Sequence, residues 1–226
     1  FYGTGVGYGY EVQKGGKLTA IGGNAESKNG KATGGTALVG SYSGIVSAGE
    51  TTLIGGNAKS GSGKATGGDE GAGIGGGFGA IPKDTLIGGN GTVTISGGTI
   101  TEASGGYMAA GIGSGYQGLG TVTIEGDAVI KNAQGGEAGA GIGSGTYGDS
   151  NILIRGNAVI ENAESSANGA GIGSGQGDVN YDYDTEETII DKTVGNVTIE
   201  GNAKIENAKS GSGGSGIGGG AVGIGN

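Results

Sequence analysis

Four stretches of this chain carry nearly the same text. Residues 121–145 read TVTIEGDAVIKNAQGGEAGAGIGSG, residues 151–175 read NILIRGNAVIENAESSANGAGIGSG, and residues 196–220 read NVTIEGNAKIENAKSGSGGSGIGGG. An earlier copy, residues 92–115, reads TVTISGGTITEASGGYMAAGIGSG, and two diverged copies occupy residues 54–77 and 21–40. Ile74, Ile112, Ile142, Ile172 and Ile217 recur at steps of 38, 30, 30 and 45 residues, a period of 30 with insertions before Ile112 and before Ile217. Self-similarity at such a period means an array: one unit cannot bury its apolar side alone, so neighbouring units must stack.

Each unit holds three short extended stretches separated by Gly, Asn, Asp and Ser. In the first, alternation puts Val122 and Ile124 on one side and Thr121 and Thr123 on the other. In the second, Ile100, Ile130, Ile160 and Ile205 share one register, with Thr101, Lys131, Glu161 and Glu206 facing the opposite way. The third, AGIGSG, sets Ala170, Ile172 and Ser174 against Gly171, Gly173 and Gly175. A helix is ruled out by glycine at 63 positions, because each glycine in a helix interior costs about 1 kcal/mol. Collagen is excluded by the lack of a strict Gly-X-Y period and by a single proline, Pro82. The regular Val/Ile runs argue against disorder.

The fold expected is therefore all-β: a parallel β-helix solenoid with three short strands per turn and about six turns, stacked ~4.8 Å apart. Residues 1–17 are expected to form an N-terminal segment that acts as a cap or contact. Residues 18–226 form a single β-helix domain with an insertion at 178–195. Asn132, Asn162 and Asn207 fall at matched places, as do Asp127, Asn157 and Asn202. Such residues suit corners, where they tolerate left-handed backbone and can hydrogen-bond along the stack.

Twelve Lys and Arg against 21 Asp and Glu give a net charge of −9. That balance excludes nucleic acid as a partner, since binding it requires a basic face, and disfavours anionic lipid. There is no apolar run long enough to enter a bilayer, so no membrane insertion is expected. Phe1-Tyr2-Gly3 shows no basic region leading into an apolar stretch, so no signal peptide is visible. Histidine and cysteine are absent, which removes the commonest general base, metal ligand and thiol nucleophile. The remaining carboxylates form no close pair that repeats on one face, so the chain is not expected to be an enzyme.

TVTIEG, AVIKNA and GAGIGSG together resemble the glycine-rich parallel β-helix repeats of large bacterial surface proteins, especially those of Gram-positive gut bacteria. They are more distantly similar to carbohydrate-binding β-helices of the polysaccharide-lyase-like group. The resemblance runs from about Leu18 to the C-terminus. It implies a right-handed helix, an extracellular or bacterial cell-surface location, and binding to glycans or neighbouring surface polymers. Lyases of that group use a basic residue beside acidic calcium ligands. Here Arg155 stands alone, so the activity does not carry over.

These features lead to a structural or adhesive surface module that self-associates, end to end into fibres or laterally. The alternative is a carbohydrate-binding β-helix protein. GIGGG at residues 216–220 offers no polar cap, so that end is expected to meet a neighbour, or the sequence is a fragment. With Ile pointing inward, Gly71, Gly73, Gly75 and their equivalents are expected to line an outer strip on which a copy or a flat polymer packs. Replacing Gly143 and Gly173 with Val would then leave folding intact.

Tyr42, Phe78, Tyr116 and Tyr147 follow the GIG stretches as a column of rings, and Tyr181 and Tyr183 occupy the longest insertion. These six form the expected ligand or contact surface, since tyrosine combines apolar area with a hydroxyl. Asp178, Asp182, Asp184 and Glu186 are candidate Ca²⁺ ligands, although the spacing is not that of an EF-hand. No other cofactor is expected. GSGKAT at residues 61–66 only imitates a phosphate loop, because Ala65 replaces the hydroxyl residue that such a loop needs.

Overall fold

The computed structural model describes residues 10–12, 25–27, 63–66, 72–75, 90–95, 99–183 and 185–226. Among them there is no helix, and therefore none able to cross a membrane. The described residues are all-β, and copies of the repeat lie side by side in parallel sheets.

The TVTI stretches form the first ladder: Gly91–Ile95, Gly120–Ile124, Ser150–Ile154, Thr193–Ile199 and Gly223–Gly225, in that spatial order. Register is exact to the residue. Val93 lies beside Val122, which lies beside Ile152 and then Val197; Ile95, Ile124, Ile154 and Ile199 line up in the same way. The GIG stretches form another ladder, from Ile74–Gly75 through Ile112–Gly113, Ile142–Gly143 and Ile172–Gly173 to Ile217–Gly218. Between them in sequence lies a middle ladder. Its strand Thr99–Ser104 is continuous, but the next copies split into Val129–Ile130 and Ala133–Gly135, Val159–Ile160 and Ala163–Ser165, and Lys204–Ile205 and Ala208–Ser210. A copy therefore supplies four extended stretches to three sheets where three were expected. The break falls at Lys131-Asn132 and its equivalents, where the asparagine amides bond along the ladder. Gly63–Thr66, inside the phosphate-loop imitation, is a strand beside Thr99–Ser104.

All three ladders share one core. Ile74, Ile112, Ile142 and Ile172 are fully buried with Ile95, Ile124, Ile154, Ile100, Ile130, Ile160 and the small Ala103, Ala133 and Ala163. Burial of each isoleucine contributes about 1.5–3 kcal/mol, and stacking like on like is what makes a 30-residue step worth keeping.

Polar columns reinforce the register. Asn162 Nδ2 donates to Asn132 Oδ1 at 2.8 Å, and Asn207 Nδ2 to Asn162 Oδ1. Asn157 donates to Asp127 at 3.0 Å and Asn202 to Asn157 at 3.2 Å; Asn196 donates to Asn151 at 2.9 Å and Asn226 to Asn196 at 3.0 Å. The serine of GIGSG is fully buried. Ser144 Oγ donates to the Gly148 carbonyl at 2.5 Å and accepts the Gly175 N–H at 2.9 Å; Ser114 does the same with Gly118 and Gly145. Ser174 accepts from Gly220, and the Thr193 hydroxyl lies 3.1 Å from its oxygen.

Among the described residues there is no outer glycine strip. Gly113, Gly143 and Gly173 are buried, with φ of 139°, 139° and 145°. A Cβ at Gly143 would stand 1.8 Å from the Gly173 carbonyl oxygen of the next copy. A Cβ at Gly111 or Gly141, before Ile112 and Ile142, would stand 2.7 Å from Gln134 N or 2.5 Å from Glu164 N, backbone atoms of the middle ladder. Glycine here permits backbone to meet backbone inside the protein, so Gly143→Val would disrupt the ladder rather than bare a surface.

Tyr10–Val12 pairs in parallel with Ala25–Ser27. The insertion is an antiparallel hairpin of Asp178–Asp182 and Glu187–Asp191, and it ends before residue 195 because Thr193 already belongs to the first ladder.

Candidate functional site

Outward positions of the ladders carry few groups that converge. Arg155 Nε and Nη2 reach Glu125 Oε2 of the preceding copy, at 2.8 and 2.6 Å. Lys209 reaches Glu164 at 3.1 Å, and Lys204 pairs with Glu206 at 2.6 Å. These are exposed ion pairs, each worth about 1 kcal/mol or less. Outward Thr121, Thr123, Asn151 and Leu153 are ordinary strand residues of the first ladder.

Four of the described tyrosines form two pairs. Tyr116 and Tyr147 meet edge to face, with centroids 5.5 Å apart, but they are not stacked in register. The Gln117 N–H donates to the Thr146 carbonyl, so Tyr116 stands beside Thr146, and Tyr147 beside Gln117. Gln117 and Tyr147 both take left-handed φ, 55° and 58°. Tyr147 is half-buried. Burial raises its hydroxyl above the ordinary tyrosine value, and Asp178, with which it hydrogen-bonds, adds to the rise. Tyr181 and Tyr183 meet edge to face at 5.0 Å on the hairpin, and Tyr183 is 85% exposed. Tyr42 and Phe78 lie outside the described residues. Sequence reasoning passed over Tyr107, an exposed ring before the GIG stretch rather than after it, whose hydroxyl bonds Glu137 and is raised by that carboxylate.

The acidic residues are spread along the hairpin. Asp178 Oδ1 accepts the Val179 N–H at 2.8 Å, and its Oδ2 accepts Asn180 Nδ2 at 2.6 Å. Asp182 accepts the Thr185 N–H at 3.3 Å. Glu186 sits exposed at the hairpin turn, with φ 56°. Asp184 lies outside the described residues. Among the described residues no three carboxylates converge as a cation site would require.

The most unusual surface is the end of the ladders formed by residues 193–226. Ile154 and Ile172 are fully buried, yet their equivalents Ile199 and Ile217 are 42% and 45% exposed. Val197, Ile199, Ser215, Ile217, Gly218, Gly225 and Asn226 surround an open depression of about 500 Å³. Gly223–Gly225 and Asn226 cover only the start of the last TVTI strand, with Asn226 accepting the Val197 N–H at 3.0 Å.

Comparison with protein-family models, curated proteins and solved structures yields no match.

Proposed function

We propose that the three ladders are the faces of one parallel β-helix, right-handed as in the surface repeats the sequence resembles, and that the chain is a structural or adhesive module of an extracellular or bacterial cell surface. The observation that carries this reading is the residue-for-residue register of copies 30 residues apart around a single core. The isoleucine, serine and asparagine columns of each copy are spent on meeting the next copy, which suits a scaffold built by addition. The proposed partner is a further copy of the chain or a surface glycan; the net charge of −9 disfavours nucleic acid, and no membrane insertion is proposed.

The test is to place the purified chain on immobilised cell-wall polymers and, separately, image it. Retention on a surface polymer, or ordered assemblies, would support the scaffold reading. Polysaccharide cleavage by the purified chain would overturn it in favour of an enzyme.

A second reading, carbohydrate binding, is favoured by the two edge-to-face tyrosine pairs, half-buried at Tyr116 and Tyr147 and exposed at Tyr181 and Tyr183, because rings at a surface offer flat apolar faces to sugars. Tyr116→Ala with Tyr147→Ala should abolish retention on a glycan that the native chain holds; unchanged retention would remove these rings from the site.

A further inference from the structure

The hairpin of residues 178–191 stands outside all three ladders. Its strands, Asp178–Asp182 and Glu187–Asp191, pair with each other, and among the described residues no third strand lies beside them. None of its described side chains is buried, and Glu187–Asp191 is exposed at every position. A two-stranded ribbon with no covered face is only marginally stable in water.

Alternation and cross-strand register give this ribbon two unlike faces. On one, Val179 lies opposite Ile190 and Tyr181 opposite Thr188, and Tyr183 extends the surface through its edge-to-face contact with Tyr181. Val179, Tyr181 and Ile190 are 52%, 50% and 51% exposed, an apolar patch of the kind that marks a contact site. On the other face, Asp178 lies opposite Asp191 and Asp182 opposite Glu187, with Asn180 and Ile189 between them. Like charges directly opposite each other destabilise a strand pair. Residues 178–191 contain six carboxylates and no lysine or arginine, so nothing within the hairpin offsets them.

We propose that the hairpin is a docking arm for a protein segment in which lysine or arginine alternates with apolar side chains, added in extended form along Glu187–Asp191 as a third strand. That edge is the fully exposed one, whereas Asp178 and Asp182 are partly covered. Alternation in the incoming segment puts its apolar side chains on the Val179, Tyr181 and Ile190 face and its cations on the carboxylate face, so one occupant answers both. The added strand gains main-chain hydrogen bonds at the open edge, and its alternate side chains set the choice of partner. Charge complementarity decides against the rivals. A second copy brings the same carboxylates to the edge, where like charges oppose pairing. A neutral sugar would stack on the rings and leave the opposed carboxylates unanswered. The proposal goes beyond the scaffold reading and does not depend on it, because it uses only the hairpin's own pairing and exposure.

The test uses the whole chain and, as probe, a fluorescent peptide of alternating Lys and Val, about eight residues long to match a strand, followed by anisotropy. Binding should weaken at least about tenfold when Ser replaces Val in the peptide, because apolar burial is lost, and it should fall with added salt. Tyr181→Ser with Ile190→Ser should weaken it by a similar factor. Glu187→Lys with Asp191→Lys should release the Lys–Val peptide and take up one of alternating Glu and Val, a switch that an unfolded arm could not make. Deletion of residues 178–192 should abolish binding of both. Equal binding of the Lys–Ser peptide, binding that survives the deletion, or a charge-reversed form that takes up neither peptide would overturn the proposal. So would native chain that leaves the Lys–Val peptide free, whether it holds a neutral glycan through Tyr181 or pairs with itself through this face.

Discussion

Gly143 and Ser144 are neighbours in sequence and show how tightly a single position is constrained. At Gly143 the backbone occupies a φ that side chains avoid, and a Cβ would collide with the next copy's carbonyl. Gly143→Ala should therefore cost more than about 4 kcal/mol, read as loss of a cooperative thermal transition. At Gly201 the φ of 70° is one that asparagine tolerates, so Gly201→Asn should cost about 1 kcal/mol. Ser144→Ala strands a buried carbonyl and a buried N–H, and denaturant unfolding should show a loss of about 1–3 kcal/mol. Ser150 is also fully buried, but its hydroxyl has no partner and glycine stands at both matched positions, Gly120 and Gly195. Ser150→Ala should stabilise the protein by about 1 kcal/mol, and a loss of similar size would mean that the hydroxyl is satisfied after all. Tyr147 titrates above the ordinary tyrosine value, so its protonated form is favoured in the folded chain. Its contribution is complete below about pH 10 and is lost as pH rises through the raised value. Tyr147→Phe should remove that alkaline component from a pH series of melting temperatures.

At the level of elements, the columns were legible because stacking demands the same residue at the same step. Ile112, Ile142 and Ile172 are in contact register as their spacing requires, and Asn132, Asn162 and Asn207 bond along the axis. What alternation could not show is backbone conformation. AGIGSG reads as an ordinary strand with one empty face, but the glycine after each isoleucine adopts a φ unlike a strand, and a Cβ on the glycine before it would meet the middle ladder. Tyr116 and Tyr147 are staggered for a related reason: TYG and YQG differ by one position, and only the hydrogen-bond register reveals it. The hairpin belongs to no column. The step across it is 45 residues where the neighbouring step is 30, yet Thr193–Ile199 still pairs in register with Ser150–Ile154. Deleting residues 178–192 restores the 30-residue step and should leave the melting temperature within a few degrees, whereas a collapse of cooperative folding would make the hairpin part of the ladder's support.

For the whole molecule, each copy buries its predecessor's apolar edge, so order propagates along the ladders. Everything depends on each residue lying beside its counterpart one period away. The chain contains no cysteine, so paired cysteines can report this directly. Thr121 and Asn151 are register partners on the outward face of adjacent strands, and such neighbours, ~4.8 Å apart, lie within disulfide reach. Thr121→Cys with Asn151→Cys should oxidise quantitatively to an intramolecular disulfide in the folded protein, while Thr121→Cys with Leu153→Cys, two residues out of register, should remain reduced. Equal oxidation of both pairs, or preferential closure of the second, would contradict the parallel 30-residue register.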